Sequence, residues 1–124
     1  MRHFSWLWCY RIAFYIAVIG GCYLAFGPAN VGLQAHWNDK LQHFVGFVVM
    51  AILAHLAHPK ASYLAIFTGL ALFGLAIECV QAYLPHRQFS WWDWLADVLG
   101  VLLYLSVLLI SARVPFKKRI ASPD

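Results

Sequence analysis

Four long apolar segments constrain the fold of this chain more than any other feature. They cover approximately residues 8–26, 41–57, 61–84 and 91–112. Each approaches the ~20 residues that a helix needs to cross the hydrocarbon core of a bilayer. A helix-breaking proline follows each of them, at Pro28, Pro59, Pro85 and Pro115. We therefore predict an all-α bundle of four transmembrane helices, forming one domain over residues 1–124, and we expect the short second helix to begin before Leu41.

The composition agrees with a membrane protein and excludes other classes. Only 11% of the residues are charged and the mean hydropathy is +0.69, whereas soluble domains carry about 25% charged residues. The basic residues are spread over chain ends and loops, which argues against nucleic-acid binding. Cys9, Cys22 and Cys79 lack the spacing of a disulfide framework or a zinc motif. No cleavage pattern follows the first apolar segment, so we expect it to remain as an anchor.

The distribution of basic residues predicts the orientation. With four spans, both termini lie on one side of the membrane, and seven of the nine Lys and Arg residues fall on that side: Arg2, Arg11, Lys60, Arg113, Lys117, Lys118 and Arg119. Lys40 and Arg87 fall on the other side. The positive-inside rule then predicts cytoplasmic termini, with the basic tail 113–124 near anionic headgroups. Tryptophans near the span ends fit an interfacial aromatic belt.

Acidic residues, which are rare in this chain, fall on the predicted outer side. These are Asp39, Glu78, Asp93 and Asp97, and the fifth acid is the C-terminal Asp124. Helical spacing aligns each with other polar or small residues: Asp39 with His43 and Gly46, Glu78 with Gln81 and Gly74, and Asp93 with Asp97 and Gly100. Glycines let helices approach closely in lipid. We predict that the three stripes face one another around an outward-opening pocket, with Arg87 and Ser90 in the loop above it.

Structural roles compete with functional ones at these positions. Asp39 and Asp93 near helix N-termini are as well explained by capping and by the helix dipole as by function. Glu78 and Asp97 lie deeper, where charge is expensive, and there a functional role is favoured. Arg87 is alternatively their counter-ion. We interpret His55 and His58 as structural, and the sequence assigns no role to His86.

Three motifs resemble the VanZ-like family. They are DKLQHFVGF at 39–47, ECVQAYLPHRQFS at 78–90 and DWLADVLG at 93–100. They follow that family's pattern of D-K-x-x-H-F, E-x-x-Q, R-x-x-S and x-x-D, in the same order and spacing. The resemblance covers roughly residues 38–101. Asp97 departs from the pattern, in which asparagine is more usual, and a carboxylate there changes the charge of the site.

The resemblance implies a small multi-helix membrane protein of the cell envelope. The protein that gives the family its name is associated with antibiotic resistance, specifically to teicoplanin, a lipid-tailed glycopeptide that targets a cell-wall precursor lipid. The expected partners are therefore membrane lipids, a lipid-linked cell-wall precursor or a lipoglycopeptide. The family name does not define a reaction, so whether the chain is an enzyme stays open.

The residues favour a site for a lipid headgroup. Arg87 can clamp a phosphate through its planar fork, and Lys40 adds a point charge. His43 with Glu78 or Asp97 forms a plausible acid/base pair. We expect Ser90 to cap the fourth helix, in an S-x-x-D pattern, rather than to act as a nucleophile.

A divalent ion such as Mg²⁺ is a candidate cofactor. The four acids supply the oxygen ligands that hard cations prefer, and His43 would admit a transition metal instead. The chain contains no compact ligand motif such as HExxH, so the metal is an open alternative.

Two non-enzymatic alternatives remain. The protein would bind or shield a lipid, or assemble with partners or with a second copy of itself, while its polar cluster serves as a structural ion network. Transport is disfavoured because a relay needs ionisable groups along the whole crossing, and residues 46–53 contain none.

Overall fold

The computed structural model describes residues 2–28 and 38–113, and these residues form four α-helices. They are α1 (Arg2–Phe26), α2 (Asp39–Ala57), α3 (Tyr63–Gln81) and α4 (Trp91–Arg113). Each is long and apolar enough to cross a membrane. The predicted four-helix, all-α fold is therefore confirmed, while the side that the termini face stays a prediction. The basic residues Lys117, Lys118 and Arg119, together with Trp37 and Asp124, lie outside the described residues.

Side-chain caps set the starts of the two central helices. α2 begins at Asp39, before Leu41 as expected, because the Asn38 side chain accepts a hydrogen bond from the Lys40 backbone N–H at 3.0 Å. α3 begins two residues later than predicted, since Ser62 Oγ accepts from the Ala65 N–H at 3.1 Å.

The third helix ends at Gln81 and not at residue 84, where we had placed its end. A residue before a proline is disfavoured in helical conformation, so Pro85 limits how far the helix can run. The chain tightens into turns instead, in which the Leu84 N–H donates to Gln81 O and the Arg87 N–H donates to Leu84 O. This shortening turns the loop that carries Arg87 back toward α1.

α2 lies at the centre of the bundle and packs most extensively against α4. The buried apolar core consists of Phe47, Met50, Ala51, Ala54, Ile66, Leu70, Ile77, Val101 and Leu105. Gly100 is buried at the α2–α4 contact, where an added Cβ atom would lie 2.5 Å from Phe44 O. The predicted close approach at a glycine is thus confirmed there, whereas nothing within 4 Å would meet a Cβ atom at Gly46.

Large apolar side chains cover the outer surface of the helices. Ile19 is 70% exposed, Leu64 73% and Ile110 64%. Such a surface would be costly in water and suits the hydrocarbon interior of a bilayer. The arrangement leaves polar chemistry to the inside of the bundle and to its ends.

Candidate functional site

The acidic residues of three helices meet at one end of the bundle. This polar end contains the start of α2, the end of α3 and the start of α4, so Asp39, Glu78, Asp93 and Asp97 come to similar depth. Glu78 and Asp97 are fully buried, and Asp93 and Gln81 are nearly so. The three polar stripes face one another, as their helical spacing predicted.

His43 lies at the centre of the polar end. Its Nδ1 donates a hydrogen bond to Asp97 Oδ1 over 2.8 Å. Because Nδ1 carries the proton in that bond, the neutral ring has its lone pair on Nε2. Nε2 lies 4.0 Å from Glu78 Oε1 and 4.0 Å from Asp93 Oδ2. His43 is therefore oriented by one carboxylate and faces two others.

Glu78 connects α3 to the loop before α4. Its Oε2 accepts a hydrogen bond from the Ser90 backbone N–H at 2.9 Å, while Oε1 is buried without a hydrogen-bond partner. Ser90 Oγ in turn accepts from the Asp93 N–H at 3.2 Å, so the predicted capping role of Ser90 is confirmed. In a full capping box the Asp93 side chain would accept from the Ser90 N–H, but here Glu78 accepts that hydrogen bond instead.

The rim of the polar end carries an exposed positive charge. Lys40 Nζ lies 3.3 Å from Asp93 Oδ1, and the lysine side chain is 55% exposed while that of Asp93 is buried. Asp39 is exposed beside them, and one donor atom from each of Asp39, His43 and Asp93 lies within 4.8 Å of the others. Burial within the cluster thus decreases from Asp97, which is fully buried, to Lys40, which is exposed at the rim.

Asp97 is held against α3 as well as against His43. A Cβ atom added at Gly74 would lie 2.7 Å from Asp97 Oδ2, so that oxygen packs against the glycine backbone. The glycine of the α3 stripe therefore makes room for a carboxylate from α4. The carboxylate that departs from the VanZ-like pattern is an integral part of the cluster.

Arg87 contacts a set of acceptors that the sequence did not reveal. Its Nη2 donates to Leu24 O at 3.0 Å and to Gly27 O at 3.2 Å, at the C-terminal end of α1. His86 Nε2 donates to Gly27 O as well, at 3.1 Å. Gln81 Nε2 donates to Ala25 O at 2.9 Å.

The end of α1 is therefore part of the polar end, although the sequence placed the three polar stripes on the other helices. Backbone carbonyls of a last helical turn lack intrahelical partners, and side chains from α3 and its following loop satisfy them here. The signal in the sequence was Gly27-Pro28, which marks where those carbonyls become free. Which side chain would reach them was not readable from the pattern.

Two cavities flank the cluster. The larger has a volume of about 540 Å³ and opens between the loop after α3 and the starts of α2 and α4; its lining includes Asp39, Lys40, Arg87, Ser90 and Asp93. The smaller, of about 110 Å³, lies between α1 and α2 and includes His43 and Gly46. Arg87, Gln81 and Asp39 contribute to both. Buried Asp93 thus has an access route at the level where α2 and α4 begin, and the half-buried ring of His43 has one from the smaller cavity.

Two overlapping groups of side chains could hold a metal ion. One is Asp39, His43 and Asp93, and the other is His43, Glu78 and Asp97, with one donor atom of each residue within 4.8 Å of the others. His43 belongs to both. Chemically, the polar end can therefore bind a cation, or move a proton through His43.

Comparison with known proteins gives one informative match. The chain is 33% identical over 107 residues to a Schizosaccharomyces pombe protein described only as uncharacterized. The match covers 82% of this chain and 64% of that relative, so the chain spans a little under two thirds of its length. No family model matches the chain, and no solved structure matches it. The resemblance to the VanZ-like family stays a prediction.

Proposed function

We propose that the polar end is a site for the phosphate-bearing headgroup of a membrane lipid. The observation that carries the proposal is the juxtaposition of the His43–Asp97 pair and buried Glu78 with an open cavity lined by their neighbours Ser90 and Asp93. The cavity lies where the membrane-spanning helices begin, which is the depth of lipid headgroups. A lipid would reach it laterally or from the water phase.

The chemistry of the lining supports a polar ligand. Lys40 lies at the cavity rim and can turn from Asp93 to an incoming phosphate, because its side chain is half exposed. Arg87 lines the same cavity, but its Nη2 is bound to backbone carbonyls. We therefore assign to Arg87 the task of holding the loop over the site, and to Lys40 that of meeting the ligand.

His43 gives the site the means to act on what it binds. Asp97 fixes the ring so that Nε2 faces Glu78 and Asp93, and a histidine held in this way can accept or deliver a proton. Glu78 Oε1 is unpaired in the same space. The proposal is thus a headgroup-binding site with an acid/base residue at its floor.

The headgroup is defined here by its chemistry. The VanZ-like resemblance points to an envelope lipid or a lipid-linked cell-wall precursor on the outer face of a bacterial inner membrane, with a link to teicoplanin resistance. A relative in yeast favours a broader substrate class. We therefore take a phosphate at the membrane surface as the common feature, with the bacterial precursor as one member of the class.

A structural ion network is the second candidate function of the cluster. It is favoured by the way in which contacts of the polar end join all four helices: His43 to Asp97, Glu78 to Ser90 and Gln81 to Ala25 O. Such a network would orient the bundle for assembly with a partner or with a second copy. Against it stands the unpaired Oε1 of Glu78, since buried ionic networks stabilise a fold only when their atoms are satisfied.

A comparison of cellular lipids distinguishes the two candidates. One set of cells makes the wild-type protein and the other makes the Glu78→Gln variant at equal abundance. The glutamine keeps an oxygen for the Ser90 N–H but removes the charge. An acting site predicts a lipid species, seen by mass spectrometry, that changes only with the wild type. A structural network predicts identical lipid profiles and a lower melting temperature of the variant.

A further inference from the structure

The polar end carries more negative charge than its own cations balance. Among the described residues, four carboxylates lie there: Asp39, Glu78, Asp93 and Asp97. Lys40 pairs with Asp93 at the rim, and the hydrogen bonds of Arg87 go to carbonyls of α1. Burying a carboxylate without a counter-charge costs several kcal/mol. A phosphate would add further negative charge, so a phosphate can bind here only after a cation has balanced the carboxylates.

Glu78 supplies an independent sign of a missing ligand. The residue is fully buried, yet its Oε1 has no hydrogen-bond partner among the described residues. That oxygen points at the interior of the cluster, 4.0 Å from His43 Nε2. A buried carboxylate oxygen of this kind is strongly disfavoured unless something positive meets it.

His43 presents a free donor atom to the same space. Because Nδ1 donates to Asp97, the lone pair of Nε2 is directed away from Asp97 and toward Glu78 Oε1 and Asp93 Oδ2, each at 4.0 Å. A carboxylate on one ring nitrogen with a metal on the other is the usual arrangement of metal-binding histidines. The lone pair of Nε2 and the two carboxylate oxygens that it faces repel one another unless a cation lies between them.

We propose that a divalent transition-metal ion binds beside His43 Nε2, with Glu78 Oε1 and Asp93 Oδ2 as its carboxylate ligands. Metal–ligand bonds of roughly 2.0–2.2 Å set ligand atoms about 3–3.5 Å apart, so each carboxylate oxygen, which lies 4.0 Å from Nε2, has to approach that nitrogen by about 0.5–1 Å, and the two carboxylates have to approach each other as well. Asp97 is then a positioning residue, which fixes the ring through Nδ1. Mixed nitrogen and oxygen donors favour Mn²⁺ or Zn²⁺ over Mg²⁺, which prefers oxygen alone.

The inference deepens the proposed function and rests on it for the use of the metal. An ion at this position would balance the carboxylates and offer open coordination positions to a headgroup phosphate from the larger cavity, which Asp93 lines. This resolves why a phosphate would enter a site with four acids. It also gives Glu78 a role that a hydrogen bond to Ser90 alone does not need.

Binding of Mn²⁺ to the purified full-length protein in detergent tests the inference without any lipid. Free Mn²⁺ is measured by its six-line electron paramagnetic resonance signal, after the protein has been stripped with a chelator. Wild type is expected to bind about one ion per chain, competitively with Zn²⁺. Glu78→Gln is expected to weaken binding at least about tenfold, while its retained oxygen preserves the bond to Ser90 N.

A histidine variant outside the cluster is the matched control. His58 donates through Nδ1 to Ala54 O beyond the far end of α2, so His58→Gln removes an imidazole and should bind Mn²⁺ like wild type. His43→Gln should bind at least about tenfold more weakly. Melting curves with and without Mn²⁺ check folding, and only proteins with an intact site should be stabilised by the ion.

Two outcomes overturn the inference: stripped wild type that binds neither Mn²⁺ nor Zn²⁺, or a Glu78→Gln variant that binds as tightly as wild type. A phosphate lipid that is retained equally well by the metal-free protein contradicts only the use of the metal in headgroup binding. Metal binding that depends on Glu78 and His43, without any retained phosphate lipid, supports the metal site and contradicts the proposed headgroup function. The two proposals therefore fail separately.

Discussion

Two polar clusters lie at opposite ends of the same bundle, and they differ in how completely their atoms are paired. At the polar end, His43 meets three carboxylates. At the opposite end, His55 Nδ1 shares a hydrogen bond of 2.9 Å with the Tyr104 hydroxyl, and the ring of Tyr63 packs edge-on against His55. The second cluster is small and aromatic, and no carboxylate among the described residues belongs to it.

The unpaired atoms separate the two ends. The buried side-chain atoms without a hydrogen-bond partner that the structure describes are Glu78 Oε1, Arg87 Nε, Asp93 Oδ1 and Asp97 Oδ2. All lie at the polar end, although Asp93 Oδ1 has Lys40 as an ion-pair partner. A histidine in a membrane helix is thus structural where its neighbours satisfy it, and it marks a candidate site where they do not.

The largest effect on stability is expected at Gly100, where the polar end depends on close helix packing. A Cβ atom there would lie 2.5 Å from Phe44 O, which is backbone and cannot rotate away. We expect Gly100→Ala to destabilise the bundle by ~3 kcal/mol. Gly69→Ala is the control, since it meets nothing within 4 Å. Unfolding titrations in mixed micelles measure the free energy of unfolding of both variants. Equal values for the two would contradict the α2–α4 packing.

Arg87 and Arg11 offer a matched comparison of the two ends. Arg87 donates to two carbonyls of α1, whereas Arg11 Nε donates to one carbonyl, that of Ala57, at 3.2 Å. A hydrogen bond of a charged donor contributes about 1.5–3 kcal/mol, and because both bonds of Arg87 share one partly exposed nitrogen, we expect its total effect to stay within that range and below that of Gly100. We expect Arg87→Met to lower the melting temperature more than Arg11→Met, and to increase proteolysis of the loop before α4. Equal shifts would mean that the loop is held by other contacts.

His55 should matter for stability and not for ligand binding. His55→Phe keeps the ring but removes the hydrogen bond to the Tyr104 hydroxyl, and we expect a loss of ~1 kcal/mol of unfolding free energy. Retention of lipid and Mn²⁺ by the purified variant should equal that of wild type. Loss of either ligand by the His55→Phe protein would contradict the assignment of ligand binding to the polar end and of a structural role to His55.

The smallest effect on stability is expected at Lys40. Its ion pair with Asp93 is half exposed, and such pairs contribute at most ~1 kcal/mol. Lys40→Met should therefore melt close to wild type while its apparent affinity for phosphate lipid falls, which a vesicle-binding assay at low and high salt would measure. Lys60→Met, an exposed lysine near the other end of α2, should change neither quantity.

Periodicity in the sequence predicted most of the fold and the placement of the acids. The lengths of the apolar segments predicted four helices. The i, i+4 spacing correctly aligned Asp39 with His43 and Asp93 with Asp97, because a helix fixes which residues share a face. The Ser90 cap followed from local spacing as well. Such features depend on residues within one or two turns of each other.

Side-chain contacts between residues far apart in the sequence could not be predicted from such spacing. Arg87 was expected to face a phosphate or the acids, but it meets carbonyls of α1 that lie 60 and 63 residues away. The pairing of His43 Nδ1 with Asp97, and not with Glu78, also depends on helix rotation, which composition does not encode. The early end of α3 before Pro85 accounts for the Arg87 contacts, since it turns the loop toward α1.

Native mass spectrometry of purified wild type, His43→Gln and His55→Gln, prepared side by side, tests whether the polar end holds the headgroup. We predict that wild type and His55→Gln retain a phosphate-bearing lipid and that His43→Gln, although folded, does not. Retention of the same lipid by all three proteins, or by none of them, would show that the polar end is not the headgroup site.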